Sequence, residues 1–257
     1  MTKLPAGSSR DTAELAKRYS ETSQWQRERG LLLLETANPS ASQTVLDLGC
    51  GTGELSAELA RRVGPSGQVI AIDPDAARLE HARESLPTGL VNLTFEQASG
   101  EDLHRVADGS IDLVFSNYAL HWMLDLPAVF DEVWRVLRPG GRFVTEFLGE
   151  PIQLFVDLIL KMPDGQDVMA ENIFLGENEW RNITAARGLE ILELEWPRFT
   201  LTYTDLQSLF AWLEATSHGA FDAGKIAPED RAALKRKFPG VISCPCKGLR
   251  MGLRRLA

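Results

Sequence analysis

The chain contains few cysteines and no long apolar segment. Its 257 residues include three cysteines, Cys50, Cys244 and Cys246, which do not suggest a disulfide framework. No run of about 18 apolar residues occurs, so the sequence predicts no transmembrane helix. The N-terminus also lacks the basic and then apolar leader of a secreted protein. These absences argue against the disulfide-rich and membrane classes and predict a soluble protein of the cytoplasm.

The charge is unevenly distributed along the chain. The formal net charge is −9, but residues 231–257 hold eight Lys or Arg and no acid, which leaves −17 for the other 230 residues. A basic segment can bind nucleic acid phosphates, yet no aromatic residues alternate with these charges as a single-strand platform requires. Lys235, Arg236 and Lys237 look like the solvated end of a helix. We therefore expect no nucleic acid partner.

A glycine-rich turn follows the first predicted strand. Residues 45–53 (VLDLGCGTG) predict a buried strand and a turn with three glycines, and a helix is expected to begin at Glu54. Glycine lets the backbone approach a ligand closely, and the helix N-terminus presents free N–H groups. Asp73 ends the next apolar strand about 20 residues later, the spacing at which a carboxylate binds a ribose diol. Together these features predict an adenosine-containing cofactor across the strand ends.

The glycine spacing separates two kinds of cofactor. The dinucleotide fingerprint Gly-x-Gly-x-x-Gly needs a third glycine at position 54, where Glu54 would face a pyrophosphate. The string from Asp47 to Gly53 instead resembles motif I of the class I S-adenosylmethionine-dependent methyltransferases. That cofactor has no phosphate, and the ammonium of its amino-acid tail suits an acceptor such as Asp47. A tight turn that binds no ligand is the other interpretation of the motif.

Strand-like and helical patterns alternate through the first part of the chain. Predicted strands recur about every 25 residues, at 44–48, 68–72, 93–96, 111–116 and 141–147. This alternation predicts an α/β, doubly wound, mostly parallel sheet that is covered on both faces. The family resemblance implies a Rossmann-like sheet of seven strands, in which the last strand is antiparallel beside the fifth. Residues 249–256 fit that last place.

Four segments are expected along the chain. Residues 1–40 form an N-terminal helical cap, and residues 41–148 form the cofactor-binding core. Residues 149–185 form a helical lid insertion that covers the strand ends. Residues 186–257 complete the sheet and add helices, with a strand at 189–196 and an amphipathic helix at 204–217.

The resemblance spans about residues 43–147 and implies which residues bind the cofactor. Besides Asp47 and Asp73, these are Gly49, Gly51, Pro74, Ser99, Gly100, Ser116 and Asn117. One position departs from the family pattern. Many relatives have an aspartate where this chain has Ser99, and that aspartate accepts a hydrogen bond from the adenine amino group. A neutral serine is a weaker acceptor than a carboxylate by about 1 kcal/mol, so affinity would change without loss of binding.

Three residues are candidates for the acceptor side of the site. His121 and Trp122 follow the fourth strand and Gln26 lies upstream, a pattern similar to the juvenile-hormone-acid and trans-aconitate methyltransferases, which esterify small carboxylic acids. The resemblance implies that Gln26 and Trp122 lie near the substrate carboxylate. His121 is the nearby base that an alcohol or amine acceptor would need. The alternatives are packing under the cap for Trp122, a solvated helix position for Gln26 and a structural role for His121.

The sequence thus predicts a methyltransferase that uses S-adenosylmethionine to O-methylate a small carboxylic acid, as a monomer or homodimer. One alternative acceptor is arsenite, because soft ions prefer sulfur and Cys244 and Cys246 form a close pair; transfer to nitrogen or carbon of a small molecule is another. The pair can also be a surface loop, and with no nearby histidine we expect no metal site. A third hypothesis is a cofactor-binding protein without catalysis, which the serine at position 99 and the basic tail would allow.

Overall fold

The computed structural model describes residues 11–86, 89–170 and 172–256. Residues 1–10 of the predicted cap therefore lie outside the described part. The helices are α1 (Ala13–Thr22), α2 (Gln24–Ala37), α3 (Glu54–Val63), α4 (Ala76–Ser85), α5 (Leu126–Val136), α6 (Gln153–Ile159), α7 (Gly165–Met169), α8 (Glu177–Ala185), α9 (Leu206–Thr216) and α10 (Pro228–Lys237). The strands are β1 (Thr44–Leu48), β2 (Gln68–Asp73), β3 (Leu93–Gln97), β4 (Ile111–Asn117), β5 (Leu137–Leu148), β6 (Leu189–Glu195), β7 (Arg198–Tyr203) and β8 (Ile242–Arg255).

The strands form one mostly parallel sheet. Its order is β3-β2-β1-β4-β5-β8-β6, and β7 pairs with β8 outside this path. The strands from β3 to β5 pair in parallel, whereas β8 runs antiparallel between β5 and β6. This confirms the predicted doubly wound, Rossmann-like sheet with its antiparallel strand beside the fifth. The strand order reverses at β1, and ligands of such sheets bind outside the carboxyl ends of the strands at that point.

The structure corrects the prediction near the end of the chain. β8 begins at Ile242 rather than at 249 and is 14 residues long. Its first half pairs with β7, a strand that the sequence analysis misses. β7 alternates exposed with buried or half-buried residues, so it lacks the continuous apolar run that marks the buried parallel strands. Cys244 and Cys246 lie within β8 with both side chains buried, so a surface loop is the wrong interpretation of that pair.

The helices around the glycine turn follow the prediction. α3 begins at Glu54, and α1 and α2 precede the first strand. α9 occupies most of the predicted segment 204–217, and α10 ends in the exposed residues Lys235, Arg236 and Lys237. Residues 149–185 contain α6, α7 and α8. The boundaries of the four segments stay a prediction.

Three apolar clusters hold these elements together. One lies between the sheet and α5 with α8, and a second lies between the sheet and α2 with α3. The third joins α6 and α9 to the paired strands β7 and β8. This third cluster fixes α6 and α9 at the side of the sheet where the cavity described below opens. No helix in the described part of the chain is both long enough and apolar enough to cross a membrane.

Candidate active site

A cavity of about 580 Å³ opens at the carboxyl ends of β1, β2 and β4. The predicted residues that line it are Gln26, Asp47, Gly49, Gly51, Asp73, Pro74, Ser99, Gly100, Asn117, His121 and Trp122. Ser116 does not line the cavity. It is fully buried, and its hydroxyl donates a hydrogen bond of 2.8 Å to the Leu48 carbonyl. The predicted contact between the Ser116 side chain and the cofactor is therefore not supported by the structure. The Ser116 hydroxyl instead links β4 to β1.

The glycine turn needs glycine for two different reasons. Gly49 has φ of 77°, and a Cβ built there would lie 2.3 Å from the Cβ of Ala119. Gly51 has φ of 56°, but a Cβ there would have Tyr19 as its nearest neighbour, at 3.6 Å. Positive φ disfavours L side chains at both positions. Gly49 is thus required both by its conformation and by its close packing. Gly51 is required by its conformation alone, and a side chain there would occupy space at the cavity wall.

Asp73 connects the glycine turn to the next helix. Its Oδ2 accepts a hydrogen bond of 2.9 Å from the Gly51 backbone N–H, and its Oδ1 accepts one of 2.9 Å from the Asp75 N–H. Burial raises the pKa of Asp73, while the Arg78 charge and these two hydrogen bonds oppose that rise. A carboxylate at the end of β2 is thereby held in place at the cavity wall.

Asp47 is a second buried carboxylate at the cavity. Its Oδ2 accepts a hydrogen bond of 2.6 Å from the Ser56 hydroxyl. Burial raises the pKa of Asp47 to about 7; the Ser56 hydrogen bond lowers it and the Asp73 charge raises it further. A buried carboxylate without a paired cation is costly. The two acids therefore favour a ligand that brings positive charge to this end of the cavity.

Arg78 joins three elements beside the cavity. Its Nε donates to Asp11 Oδ2 at 2.5 Å, and its Nη2 donates to the Ala215 carbonyl at 2.9 Å. The guanidinium lies 4.2 Å from the centre of the Tyr19 ring, and burial raises the pKa of Tyr19 to about 12. Both Tyr19 and Arg78 line the cavity. Arg78 thus fastens the N-terminal segment and α9 to α4, and no motif in the sequence marks it.

The other end of the cavity is apolar. Its walls come from α6 and the residue before it, from the end of α7 and the segment that follows, and from α9; the residues are Ile152, Phe155, Val156, Ile159, Met169, Phe174, Trp212 and Leu213. The two arginines that line the cavity lie elsewhere, since Arg78 belongs to α4 and Arg27 is exposed. Among the described lid residues that line the cavity, Asn172 is polar and the others are apolar.

Gln26 lies between the two ends. It is 6% exposed, so a solvated helix position is the wrong interpretation of it. Its backbone carbonyl accepts a hydrogen bond of 3.0 Å from Asn117 Nδ2, and its side-chain Oε1 accepts one of 3.4 Å from the Trp212 indole. The end of β4 and the helix α9 thus hold Gln26 from two sides.

His121 is buried and neutral. It is 6% exposed, its ring stacks on Phe147 at 6.5 Å, and its Nδ1 has no hydrogen-bond partner among the described residues. Burial lowers the pKa of His121 to about 3, and the nearby His218 contributes to the decrease. Because an effective base has a pKa near the working pH, His121 is a poor base at neutral pH.

His218 lines the cavity although the sequence analysis does not single it out. Its ring meets Trp122 edge-on at 5.3 Å, and its Nδ1 lies 3.6 Å from Asp11 and 3.8 Å from Asp75. The ligand-type atoms of these three residues lie within 4.8 Å of one another. The Arg78 guanidinium already neutralises Asp11, which disfavours a metal ion at this cluster.

The thiols do not form a site at the cavity. Cys50 lines the cavity, but Cys244 and Cys246 belong to the third apolar cluster. Burial raises the pKa of Cys244 and of Cys246 to about 11. These two groups are thiols at neutral pH, so the structure gives the arsenite hypothesis no support.

Comparisons with known proteins agree with this geometry. A family model described as a methyltransferase domain matches residues 45–141. Trans-aconitate 2-methyltransferase of Deinococcus radiodurans is 46% identical over 98 residues, which are 38% of this chain and 34% of that protein. Malonyl-[acyl-carrier protein] O-methyltransferase of Methylovorus sp. is 32% identical over 215 residues, which are 82% of this chain and 71% of that protein. The solved YcgJ protein of Bacillus subtilis matches with a TM-score of 0.65 at 21% identity, over 90% of this chain and 99% of that one.

The chain belongs to the class I S-adenosylmethionine-dependent methyltransferases. It is accordingly a methyltransferase, and S-adenosylmethionine is the methyl donor of its family. The described residues are compatible with that donor, because the buried carboxylates of Asp47 and Asp73 line the cavity and can accept hydrogen bonds from an ammonium group and from ribose hydroxyls. This chain spans about a third of the length of the trans-aconitate enzyme that it matches.

Proposed function

We propose that the protein transfers a methyl group to a carboxylate oxygen of an apolar small-molecule acid. The observation that carries this proposal is the environment of His121, which is 6% exposed and whose ring packs against Trp122 and Phe147. This burial lowers the pKa of His121 to about 3. An alcohol or amine acceptor needs a base to remove its proton. A carboxylic acid is already ionised at pH 7, so it can react at a site whose predicted base is ineffective.

The cofactor end is assigned to the residues that the sequence predicts. When bound, S-adenosylmethionine supplies a methyl group made electrophilic by its sulfonium. We expect Asp73 to accept hydrogen bonds from the ribose and Asp47 to favour the ammonium end. Gly49 and Gly51 leave room for the cofactor along the turn. Ser99 and Gly100 are expected beside the adenine, together with Pro74, and Asn117 beside the amino-acid tail.

The acceptor end supplies donors and excludes water. The Gln26 amide and the Trp122 indole can both donate hydrogen bonds, which would hold one carboxylate oxygen while the other is free to react. The apolar side chains of α6 and α9 remove water around the acid. Holding two reactants in such an arrangement can lower a barrier by roughly 7–11 kcal/mol, so alignment is the main catalytic contribution of these residues.

A second candidate function rests on His218. Its imidazole lines the cavity beside Trp122, with the carboxylates of Asp11 and Asp75 within 4 Å. This arrangement could orient a base for a hydroxyl, amine or carbon acceptor. A His218→Asn variant separates the two candidates, because it would abolish transfer that needs a base and would leave carboxylate methylation within about threefold.

The test is methyl transfer from labelled cofactor to a panel of aliphatic and aromatic acids, each paired with its matching alcohol. We expect label on the acids that mild base releases, because esters hydrolyse and N- or C-methyl groups do not. His121→Asn should retain the activity. Base-stable label on every product, or transfer only to the alcohols, would contradict the proposal. A cytoplasmic location and a monomer or homodimer stay predictions from the sequence.

A further inference from the structure

We infer that Trp212 is a positioning residue that orients the Gln26 side-chain amide so that its amino group faces the acceptor. The inference rests on the proposed function, because it concerns how the cavity recognises a carboxylate. Trp212 lies on α9 and is 5% exposed. Its Nε1 lies 3.4 Å from Gln26 Oε1, and both side chains line the cavity.

The chemistry of the two groups fixes which way the amide points. An indole N–H is a donor only, whereas an amide has an accepting oxygen at one end and a donating NH₂ at the other. The oxygen must therefore face Trp212, since the opposite orientation would bring two donors together. The NH₂ group is then the end of Gln26 that remains for the acceptor, and it attracts a carboxylate.

Both partners are held in place independently of this hydrogen bond. The Gln26 backbone carbonyl is bound by Asn117 Nδ2 at 3.0 Å. The Trp212 ring packs against Phe155 at 5.0 Å and against Tyr203 at 5.7 Å. The indole N–H of Trp212 thus determines which end of the Gln26 side-chain amide faces the acceptor. Without that N–H, the amide oxygen could turn toward the acceptor and repel a carboxylate.

The experiment is a double-mutant cycle on kcat/KM with octanoate as the acceptor, using W212F, Q26M and the double variant. If octanoate is not methylated but another panel acid is, the cycle uses that acid. We expect W212F to lower kcat/KM about 3- to 10-fold, the worth of one ordinary hydrogen bond, mainly through KM. In the Q26M background the same change should have less than about a twofold effect, because its partner is gone.

Two further measurements exclude a merely structural role. Y203F removes the hydroxyl of a residue whose ring packs at a tilt against Trp212 but does not line the cavity, and we expect it to keep kcat/KM within about twofold. Competition by octanoate and by octanamide should show a strong preference for the acid in the wild type. In W212F that preference should fall. Without the indole N–H, the Gln26 amide can take either orientation, and it can then also bind the neutral octanamide.

The outcomes separate this inference from the proposed function. If acids are methylated but W212F and Q26M lower kcat/KM additively, or if W212F keeps the full preference for octanoate over octanamide, the positioning role is wrong and the proposed function stands. If no acid of the panel is methylated while the cofactor binds, both are wrong.

Discussion

Asp47 should lower the stability of the protein in the absence of cofactor. It is 2% exposed, and its hydrogen-bond partner is the neutral hydroxyl of Ser56. Burial raises its pKa from 3.8 to about 7. Replacement by asparagine keeps the shape and an oxygen that can accept from Ser56, but it removes the charge. We therefore expect D47N to be more stable than the wild type at neutral and alkaline pH.

The sign and size follow from proton linkage. Between pH 4 and pH 7 the native carboxyl keeps its proton while the unfolded chain has lost it, so the free energy of unfolding falls as the pH rises. A difference of about three pKa units at 1.36 kcal/mol each gives about 4 kcal/mol. D47N should match the wild type near pH 4 and exceed it by up to about 4 kcal/mol at pH 8, or about 10 °C in Tm.

Urea unfolding of both proteins without cofactor, at pH 4.5 and pH 8, checks this difference. D157N is the matched control, because Asp157 is exposed on α6 and accepts a surface hydrogen bond from Gln153; it should change stability by less than about 0.5 kcal/mol. D47N should also lose affinity for S-adenosylmethionine. A D47N protein that is no more stable than the wild type at pH 8 would refute the assigned cost of the buried charge.

Three other predictions concern the same cavity. The Kd for S-adenosylmethionine should rise about tenfold between pH 8 and pH 6 in calorimetry, because protonation of Asp47, whose pKa is about 7, competes with the ammonium; a Kd that does not change would contradict this. G49A should destabilise the protein by about 1–3 kcal/mol and weaken cofactor binding. The double variant G49A/A119G should restore only part of the lost stability. The second change removes the 2.3 Å contact with the Ala119 Cβ, but the positive φ at position 49 remains unfavourable. R78M should lower the free energy of unfolding by about 3–5 kcal/mol in urea melts, because Asp11 loses a buried partner. The control is R181M, since Arg181 is exposed. If R78M destabilises the protein no more than R181M does, the prediction is wrong.

The sequence predicts most of the sheet because of how parallel strands are buried. β1, β2 and β4 are largely buried and contain short apolar runs, whereas β3 lies at the edge of the sheet and is only half-buried. The predicted bounds of all four strands agree with the structure to within one residue. β7 has one exposed face and no such run. β5 begins at Leu137, four residues before its predicted start, and its pairing with β4 is irregular between Leu137 and Arg142.

The residues of the candidate site also fall into two groups, those that a local motif predicts and those that only the fold brings to the cavity. Its cofactor end comes from the motif around Gly49 and from Asp73, which are marked by local spacing. Arg78 and His218 carry no motif, and they reach the cavity only because α4 and α9 pack against the N-terminal segment. His218 also has φ of 53°, a conformation set by the fold and not by a local preference for glycine. Tertiary contacts, which one sequence does not display, decide these positions.

Under the proposed function, Trp122 lies inside the family match, whereas the other residues assigned to the acceptor lie outside it. The methyltransferase-domain model covers residues 45–141, whereas Gln26 lies before it and α6 and α9 lie after it. Similarity in the matched region therefore establishes the donor chemistry, because Asp47, Asp73 and the glycine turn all fall inside. Under the proposed function, the choice of acid depends instead on how α2 and α9 meet over the strand ends, where the hydrogen bond between Gln26 and Trp212 joins those two helices.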